Sequence, residues 1–156
     1  MRSNPSLRLV VGLSIVALAS VACGGGSPTA APTAAGPTTV KVTLQEWAVV
    51  PVPASVAAGA VTFEVTNSGP EDIHEFVVIK TDLAPGALPV DSTGTVTEEG
   101  AGMTVVDEIE DIPVGETQEL SVTLAAGKYV LLCNIYSADE QEAHYAMGMR
   151  VAFEVK

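Results

Sequence analysis

Apolar and polar residues alternate with a period of two along most of the chain from Val40 onward, a pattern typical of strands with one buried face. In the C-terminal segment 149–155, for example, Met, Val, Phe and Val alternate with Arg, Ala and Glu. The predicted strands are a segment from Val40 that ends before Pro51, and then 61–66, 74–80, 105–112, 119–124, 129–133 and 149–155. No segment has the period of an amphipathic helix. The pattern therefore predicts an all-β fold, a Greek-key β-sandwich of about seven to eight strands.

Three local features refine this prediction. Pro51 and Pro53 are expected to stop the first ladder, because proline cannot donate to it. Residues 81–103 have little periodicity and predict a long loop or a loop with one weak helical turn. Trp47, the only tryptophan, is expected to fill the core between the sheets.

The N-terminus has the pattern of an export signal. Arg2 and Arg8 precede an uncharged run, Leu9 to Ala22, which is shorter than the ~20 residues of a bilayer-spanning helix. A basic start, a short apolar stretch and small residues before a cleavage point are typical of signal peptides. Residues 1–22 are therefore predicted to be a signal peptide and are excluded from the fold.

The motif that follows resembles a bacterial lipobox. Ser20-Val21-Ala22-Cys23 precedes three glycines, and the resemblance implies that Cys23 is lipidated and becomes the mature N-terminus. The protein is then exported and anchored to the outer face of the cell membrane, or faces the periplasm. Ordinary secretion is the alternative. Residues 23–39, rich in Gly, Pro, Ala and Thr, are predicted to form a flexible tether, and 40–156 the folded domain.

The charge of the chain limits its partners. Removing residues 1–22, which contain two arginines and no acidic residue, changes the net charge from −12 to −14. Such a polyanion is not expected to bind nucleic acid, and it favours a protein partner with a basic face. No paired catalytic carboxylates, nucleophilic triad or phosphate-binding glycine loop is found, so the protein is not expected to be an enzyme.

Four residues have the side chains of a soft metal site. With Cys23 lipidated, Cys133 is the only remaining thiol, and His74 and His144 are the only histidines. Met149 follows His144 after four residues. Each alone is more often an ordinary core or loop residue, but thiolate, imidazole and thioether together select copper over magnesium or calcium. A His₂Cys site with a weak axial Met is suited to one-electron transfer.

These residues lie in segments that resemble the cupredoxins, or blue copper proteins. Gly127 to Asn134, followed by His144 to Met149, resembles the Cys-Asn…His…Gly-Met signature of small bacterial members, and Asp72 to Val78 resembles the strand that delivers the first histidine. The resemblance extends over 40–156. It implies a cupredoxin-like domain with one type 1 copper per chain, in which His74 and His144 are imidazole ligands, Cys133 is the thiolate and Met149 the axial ligand.

The sequence departs from the family pattern at three positions. Ten residues separate Cys133 from His144, more than the two to four common in plastocyanin-like and azurin-like members. Glu75 follows the first histidine, where many members have an asparagine that ties the ligand loops together. Met147 competes with Met149 for the axial position, and the four-residue gap after His144 favours Met149.

The combined prediction is a membrane-tethered, monomeric copper protein that carries single electrons outside the cytoplasm. The edge of His144 is the expected exit for the electron, and a cytochrome or an oxidase domain with a basic face is the expected redox partner. An envelope copper-binding or copper-delivery protein is the main alternative. A cupredoxin-shaped interaction module without metal is a third.

Overall fold

The structure is a computed structural model that describes residues 36–156. The predicted signal peptide 1–22, the lipidation site Cys23 and nearly all of the tether lie outside the described residues. Within the described residues, no helix is long and apolar enough to cross a membrane.

Eleven strands and one helical turn make up the described part. In chain order they are β1 (Thr38–Gln45), β2 (Ala48–Val52), β3 (Ser55–Val56), β4 (Gly59–Asn67), β5 (His74–Thr81), β6 (Met103–Ile112), β7 (Thr117–Leu124), β8 (Gly127–Leu132), β9 (Tyr136–Ser137), β10 (Glu142–Ala143), α1 (His144–Met147) and β11 (Arg150–Val155). One sheet has the order β2-β1-β4-β7 and the other β3-β11-β8-β5-β6, while β9 and β10 form a separate hairpin. The predicted β-sandwich is confirmed.

The seven predicted strands correspond to β1, β4, β5, β6, β7, β8 and β11, and the short strands were missed. The expectation that Pro51 stops the first ladder is wrong. Pro51 lies within β2, opposite Val42 of β1. Because β2 is at the edge of its sheet, one side of the strand needs no ladder donor, and proline is tolerated there.

The core lies between the two sheets. Along β4, Val61, Phe63 and Val65 are buried and alternate with partly exposed polar residues, as a period of two requires. The ring of Phe63 contacts Phe76 of β5 and Phe153 of β11, with centroids 5.2 and 5.7 Å apart. Full burial of such a side chain stabilises the fold by about 1.5–3 kcal/mol. This aromatic cluster holds the sheets together.

Strand β5 is buried on both faces. Four consecutive residues, from Phe76 to Ile79, have no exposed surface. Phe76 and Val78 face the core between the sheets, whereas Val77 and Ile79 belong to a second apolar cluster that includes Leu88 and Val96. Both come from the loop 82–102, so this loop covers the outer face of the sheet. The predicted long loop therefore packs against the strand that begins with His74.

Candidate metal centre

A strand start, a strand end and a helical turn bring three of the four predicted metal ligands together. His74 is the first residue of β5, Cys133 follows the last residue of β8, and His144 begins α1. Strands β5 and β8 are antiparallel neighbours, with Val77 opposite Leu132. The start of β5 therefore lies beside the end of β8, which explains how 58 intervening residues leave His74 and Cys133 adjacent.

The donor atoms form a small triangle. The Nδ1 atoms of His74 and His144 are 3.2 Å apart, and the Cys133 Sγ lies 3.9 Å from the first and 3.4 Å from the second. A point equidistant from the three atoms is about 2 Å from each, close to the ~2.0–2.3 Å that imidazole and thiolate ligands keep from zinc. The triangle thus has the size needed for one ion with trigonal His₂Cys ligation.

Burial shifts the pKa of all three donors. His74 and Cys133 have no exposed surface and His144 is 1% exposed. Burial lowers the pKa of both histidines, so the imidazoles are neutral in neutral solution and keep a lone pair for ligation. Burial also raises the pKa of the Cys133 thiol to about 12. Without a metal the thiol stays protonated, and ligation displaces that proton.

The two methionines differ in burial. Met149 has no exposed surface and belongs to the same core cluster as Cys133, whereas Met147 is 44% exposed. The Met149 carbonyl accepts a hydrogen bond from the Cys133 amide (3.0 Å), and its amide donates to the His144 carbonyl (3.0 Å). The backbone of Met149 therefore joins the segments that contain Cys133 and His144.

Of three comparisons with known proteins, the search of solved structures found matches. No family model and no curated protein matches the sequence. Among solved structures, auracyanin A, a "blue" copper protein from Chloroflexus aurantiacus, is 23% identical, with 78% of this chain and 100% of that chain covered and a TM-score of 0.53. The chain has the cupredoxin fold. Dithionite-reduced auracyanin from Roseiflexus castenholzii (21% identity, 78% and 99% covered, TM-score 0.53) and auracyanin B (19%, 80% and 93%, 0.54) match similarly.

The donor set suits this cupredoxin fold. Within residues 36–156, His74, Cys133 and His144 are the one group of at least three His, Cys, Asp or Glu residues whose possible ligand atoms all lie within 4.8 Å of one another. Two imidazoles and one buried thiolate are soft and borderline donors. The three residues fit a single type 1 copper site.

Glu75 ties the ligand segments together, as an asparagine does in many cupredoxins. Its Oε1 accepts a hydrogen bond from the Asn134 amide (2.7 Å), and its own amide donates to the Cys133 Sγ (3.4 Å). Burial raises the pKa of Glu75 to about 7, and the carboxylates of Glu108 and Glu98 contribute to the increase. The Glu75 side chain therefore links β5 to the segment after β8.

The long segment between Cys133 and His144 is ordered by the small hairpin β9–β10, in which Tyr136 pairs with Ala143. In addition, the His144 amide donates to the Ile135 carbonyl (2.9 Å). Because the hairpin returns the chain to its starting point, ten residues deliver His144 back to Cys133. Sequence reasoning missed this hairpin, since each of its strands has only two residues.

Two residues of the segments that resemble the cupredoxin signature make contacts that the sequence did not predict. Asn134, directly after Cys133, forms side-chain hydrogen bonds to Val96 in the loop 82–102. The Tyr145 hydroxyl, directly after His144, donates to the Pro85 carbonyl (2.6 Å) and accepts from the Leu88 amide (3.2 Å). The covering loop is thus attached to both ligand-bearing segments. The sequence signals are the Cys-Asn motif for Asn134 and, for Tyr145, its place directly after a predicted ligand.

The surface nearest His144 is partly apolar. A cavity of about 320 Å³ is lined by Glu71, Asp72, Ile73, Ile135, Ser137 and His144. Trp47 lies between β1 and β2 and packs edge-on against the His144 ring, with centroids 5.2 Å apart. The tryptophan also packs against the core cluster between the sheets, but it is only partly buried and so does not fill the core as predicted.

Proposed function

We propose that this protein is an exported, membrane-tethered cupredoxin that carries single electrons between redox partners outside the cytoplasm, and that it is not an enzyme. The observation that carries the proposal is the buried donor triangle of His74, Cys133 and His144. When bound there, a copper ion supplies a one-electron couple between Cu(I) and Cu(II). The protein's part is to hold the donors in one arrangement for both states.

The described contacts support such a rigid site. Cys133 and His144 are both hydrogen-bonded to the backbone of Met149, and Glu75 fixes the segment after Cys133. In this proposal His74, Cys133 and His144 form the trigonal plane, and Met149 is the axial ligand. Donors that are positioned in advance need little movement when the charge of the metal changes.

The electron exit is proposed at the surface around His144. The imidazole is nearly covered, but Trp47 packs against it and the partly exposed Ile73 lines the adjacent cavity. An apolar patch of this kind lets a partner approach closely, while Glu71 and Asp72 beside it and the acidic charge of the chain favour a basic face. A cytochrome or an oxidase domain with such a face is the proposed partner.

The partner proposal is tested by the rate of electron transfer to a basic cytochrome at increasing ionic strength. Steering between opposite charges is screened by salt, so the rate is expected to fall as salt is added. A rate that does not change with ionic strength would contradict a basic partner surface.

The membrane tether is proposed from Cys23 and the preceding segment 1–22. In cells, the chain is expected to fractionate with membranes, and the mass of its N-terminal peptide is expected to include a lipid on Cys23. A Cys23→Ala variant should lose both properties. An unmodified N-terminus at Cys23 in the membrane fraction would contradict lipidation.

The copper site is tested by titrating the full chain with Cu(II) and recording the visible spectrum, beside a Cys133→Ser variant. An intense thiolate-to-copper charge-transfer band that saturates at one copper per chain, and that the variant lacks, is the expected result. A colourless product, or a band that does not depend on Cys133, would overturn the proposal.

Copper delivery is the second candidate, and the exposed thioether of Met147 favours it. Met147 lies in α1, three residues after His144, and is 44% exposed. A surface thioether is a soft ligand through which Cu(I) could enter or leave. A carrier is reduced and reoxidised without losing copper, whereas a delivery protein transfers Cu(I) to an acceptor at a rate that Met147→Leu should lower.

A further inference from the structure

The carboxylate of Glu46 lies behind the ring of His74. The Glu46 Oε1 is 3.7 Å from the His74 Nε2, the ring nitrogen that does not face Cys133 or His144. This distance is within ion-pair range and longer than a hydrogen bond. The side chain of His74 is fully buried and that of Glu46 is 12% exposed, so the two groups interact with little screening by solvent.

Backbone amides of the segment before β5 fix the position of the Glu46 side chain. Its Oε1 accepts hydrogen bonds from the amides of Glu71 (3.1 Å) and Asp72 (2.9 Å). Hydrogen bonds from amides favour the ionised form of a carboxylate. The Glu46 carboxylate is therefore held beside His74 by the two amides.

Two buried polar atoms at this contact have no hydrogen-bond partner among the described residues, Glu46 Oε2 and His74 Nε2. Buried polar groups without partners are rare, and such a pair requires an explanation. A neutral imidazole has one N–H and one lone pair. If Nδ1 gives its lone pair to a metal, Nε2 must hold the proton, and that N–H is the group nearest to the anion.

We propose that Glu46 is a positioning residue of the copper centre, which acts on the metal through His74. The inference rests on the proposed function. The carboxylate stabilises the tautomer with the proton on Nε2, orients the ring and makes Nδ1 a stronger electron donor, as carboxylates behind metal-bound histidines do. A stronger donor stabilises Cu(II) more than Cu(I), because Cu(II) has the greater charge. Glu46 therefore lowers the reduction potential of the protein.

The test compares the reduction potentials of three copper-loaded full-length proteins: the wild type, Glu46→Gln and Glu71→Gln. Glutamine keeps an oxygen that can accept the two backbone hydrogen bonds, but it has no charge. Glu71→Gln is the matched control, because it removes one charge from an exposed side chain of the segment between β4 and β5, whose amides bind Glu46. The measurement is made near physiological ionic strength, where exposed charges are largely screened.

The expected result is a higher potential in Glu46→Gln. Loss of a partner behind a ligand typically lowers metal affinity 10–100-fold. A tenfold loss for Cu(II) alone corresponds to a rise of about 59 mV in a one-electron couple. Glu71→Gln is expected to change the potential much less. Equal potentials in Glu46→Gln and Glu71→Gln would overturn the role of Glu46. They would not contradict the copper site itself.

A second measurement uses the wild-type protein and does not depend on the folding of a variant. In the Cu(I) form, which is diamagnetic, NMR can observe the Nε2–H of each histidine. His144 is an internal control, since its Nε2 is also buried and has, within residues 36–156, neither a hydrogen-bond partner nor a carboxylate oxygen in ion-pair range. The His74 proton is expected downfield of the His144 proton.

Coincident resonances, or a His74 ring without a proton on Nε2, would overturn the inference. The wild-type visible spectrum distinguishes a failure of the proposed copper site from a failure of the role of Glu46. A wild type without the thiolate-to-copper band overturns the proposed function and this inference with it. A wild type with the band, together with an unshifted Glu46→Gln potential, overturns this inference alone.

Discussion

The side-chain amide of Asn134 pairs with the backbone of Val96 as a neighbouring strand would. The Oδ1 of Asn134 accepts a hydrogen bond from the Val96 amide at 2.6 Å, and its Nδ2 donates to the Val96 carbonyl at 3.0 Å. Since Asn134 directly follows Cys133, the pair attaches the loop 82–102 to the segment that presents the thiol. Val96 is 5% exposed, so its backbone groups have little access to water.

Replacement of Asn134 by alanine is expected to destabilise the protein. The Val96 amide and carbonyl both lose their partner, and an unsatisfied buried polar group costs about 1–3 kcal/mol. The free energy of unfolding in urea measures this loss. Thr62→Ala is the control, because it removes an exposed hydrogen bond to Ser121 between the neighbouring strands β4 and β7, and it should change stability by less than about 0.5 kcal/mol. Equal effects would show that the Asn134–Val96 pair contributes nothing specific.

The Tyr145 hydroxyl is expected to hold the first part of the covering loop in place. Tyr145→Phe keeps the ring beneath Arg150 but removes the partner of the Pro85 carbonyl and the Leu88 amide. Hydrogen exchange of the Leu88 amide should become faster, because local opening of the loop costs less free energy. The Val78 amide in the buried strand β5 should exchange at an unchanged rate. An unchanged Leu88 rate would contradict the role of the hydroxyl.

Glu75 is expected to act as a hydrogen-bond acceptor, which glutamine can replace and alanine cannot. Glu75→Ala leaves the Asn134 amide without its partner and should lower the free energy of unfolding by about 1–3 kcal/mol. Glu75→Gln keeps an oxygen at the same distance along the side chain, so its loss should be clearly smaller. Unfolding in urea measures both variants, and similar losses would mean that the charge, and not the hydrogen bond, is the important property.

The aromatic contact between the sheets is expected to dominate the core. Phe63 is fully buried, and Phe63→Ala should destabilise the fold by about 3–5 kcal/mol through lost burial and a cavity. Val50 is a suitable control, since it lies on the edge strand β2 and is 43% exposed. Val50→Ala should change the free energy of unfolding by less than about 0.5 kcal/mol. A small loss for Phe63→Ala would place the main stabilising contacts elsewhere.

Copper is expected to stabilise the folded protein, because the three donors converge only when the strands are assembled. A ligand that binds the folded state alone adds about 2.7 kcal/mol at a free concentration of 100 times its dissociation constant. The melting temperature should therefore rise when Cu(I) is added under anaerobic conditions. Cys133→Ser should lose most of the increase. A rise that is equal in the variant would indicate binding away from Cys133.

The long strands could be predicted because their signal is local. In β4, each apolar residue that is buried has a polar neighbour on the other face, and this alternation is visible without knowledge of any partner. The edge strand β2 could not be predicted, since Pro51 is compatible with a strand only at a sheet edge. The hairpin β9–β10 is too short for any period, and its pairing depends on the return of the chain to Cys133.

The donor residues His74, Cys133 and His144 could also be predicted, because histidine and cysteine are rare in this chain and follow a recognisable order. The residues around them could not. Glu46 is separated from His74 by 27 residues, and Asn134 from Val96 by 37. The sequence contains 19 acidic residues, and nothing local distinguishes the one that lies behind His74.

The β-sandwich and the set of soft donors follow from residue type and short-range order along the chain. Which groups meet at the centre depends on the long-range pairing of strands. The pairing of β5 with β8 brings His74 to Cys133, and the hairpin β9–β10 brings back His144. Glu46 and Asn134 acquire their roles from the same assembly, since hydrogen bonds and charge interactions act over a few ångströms in space and do not depend on distance along the chain.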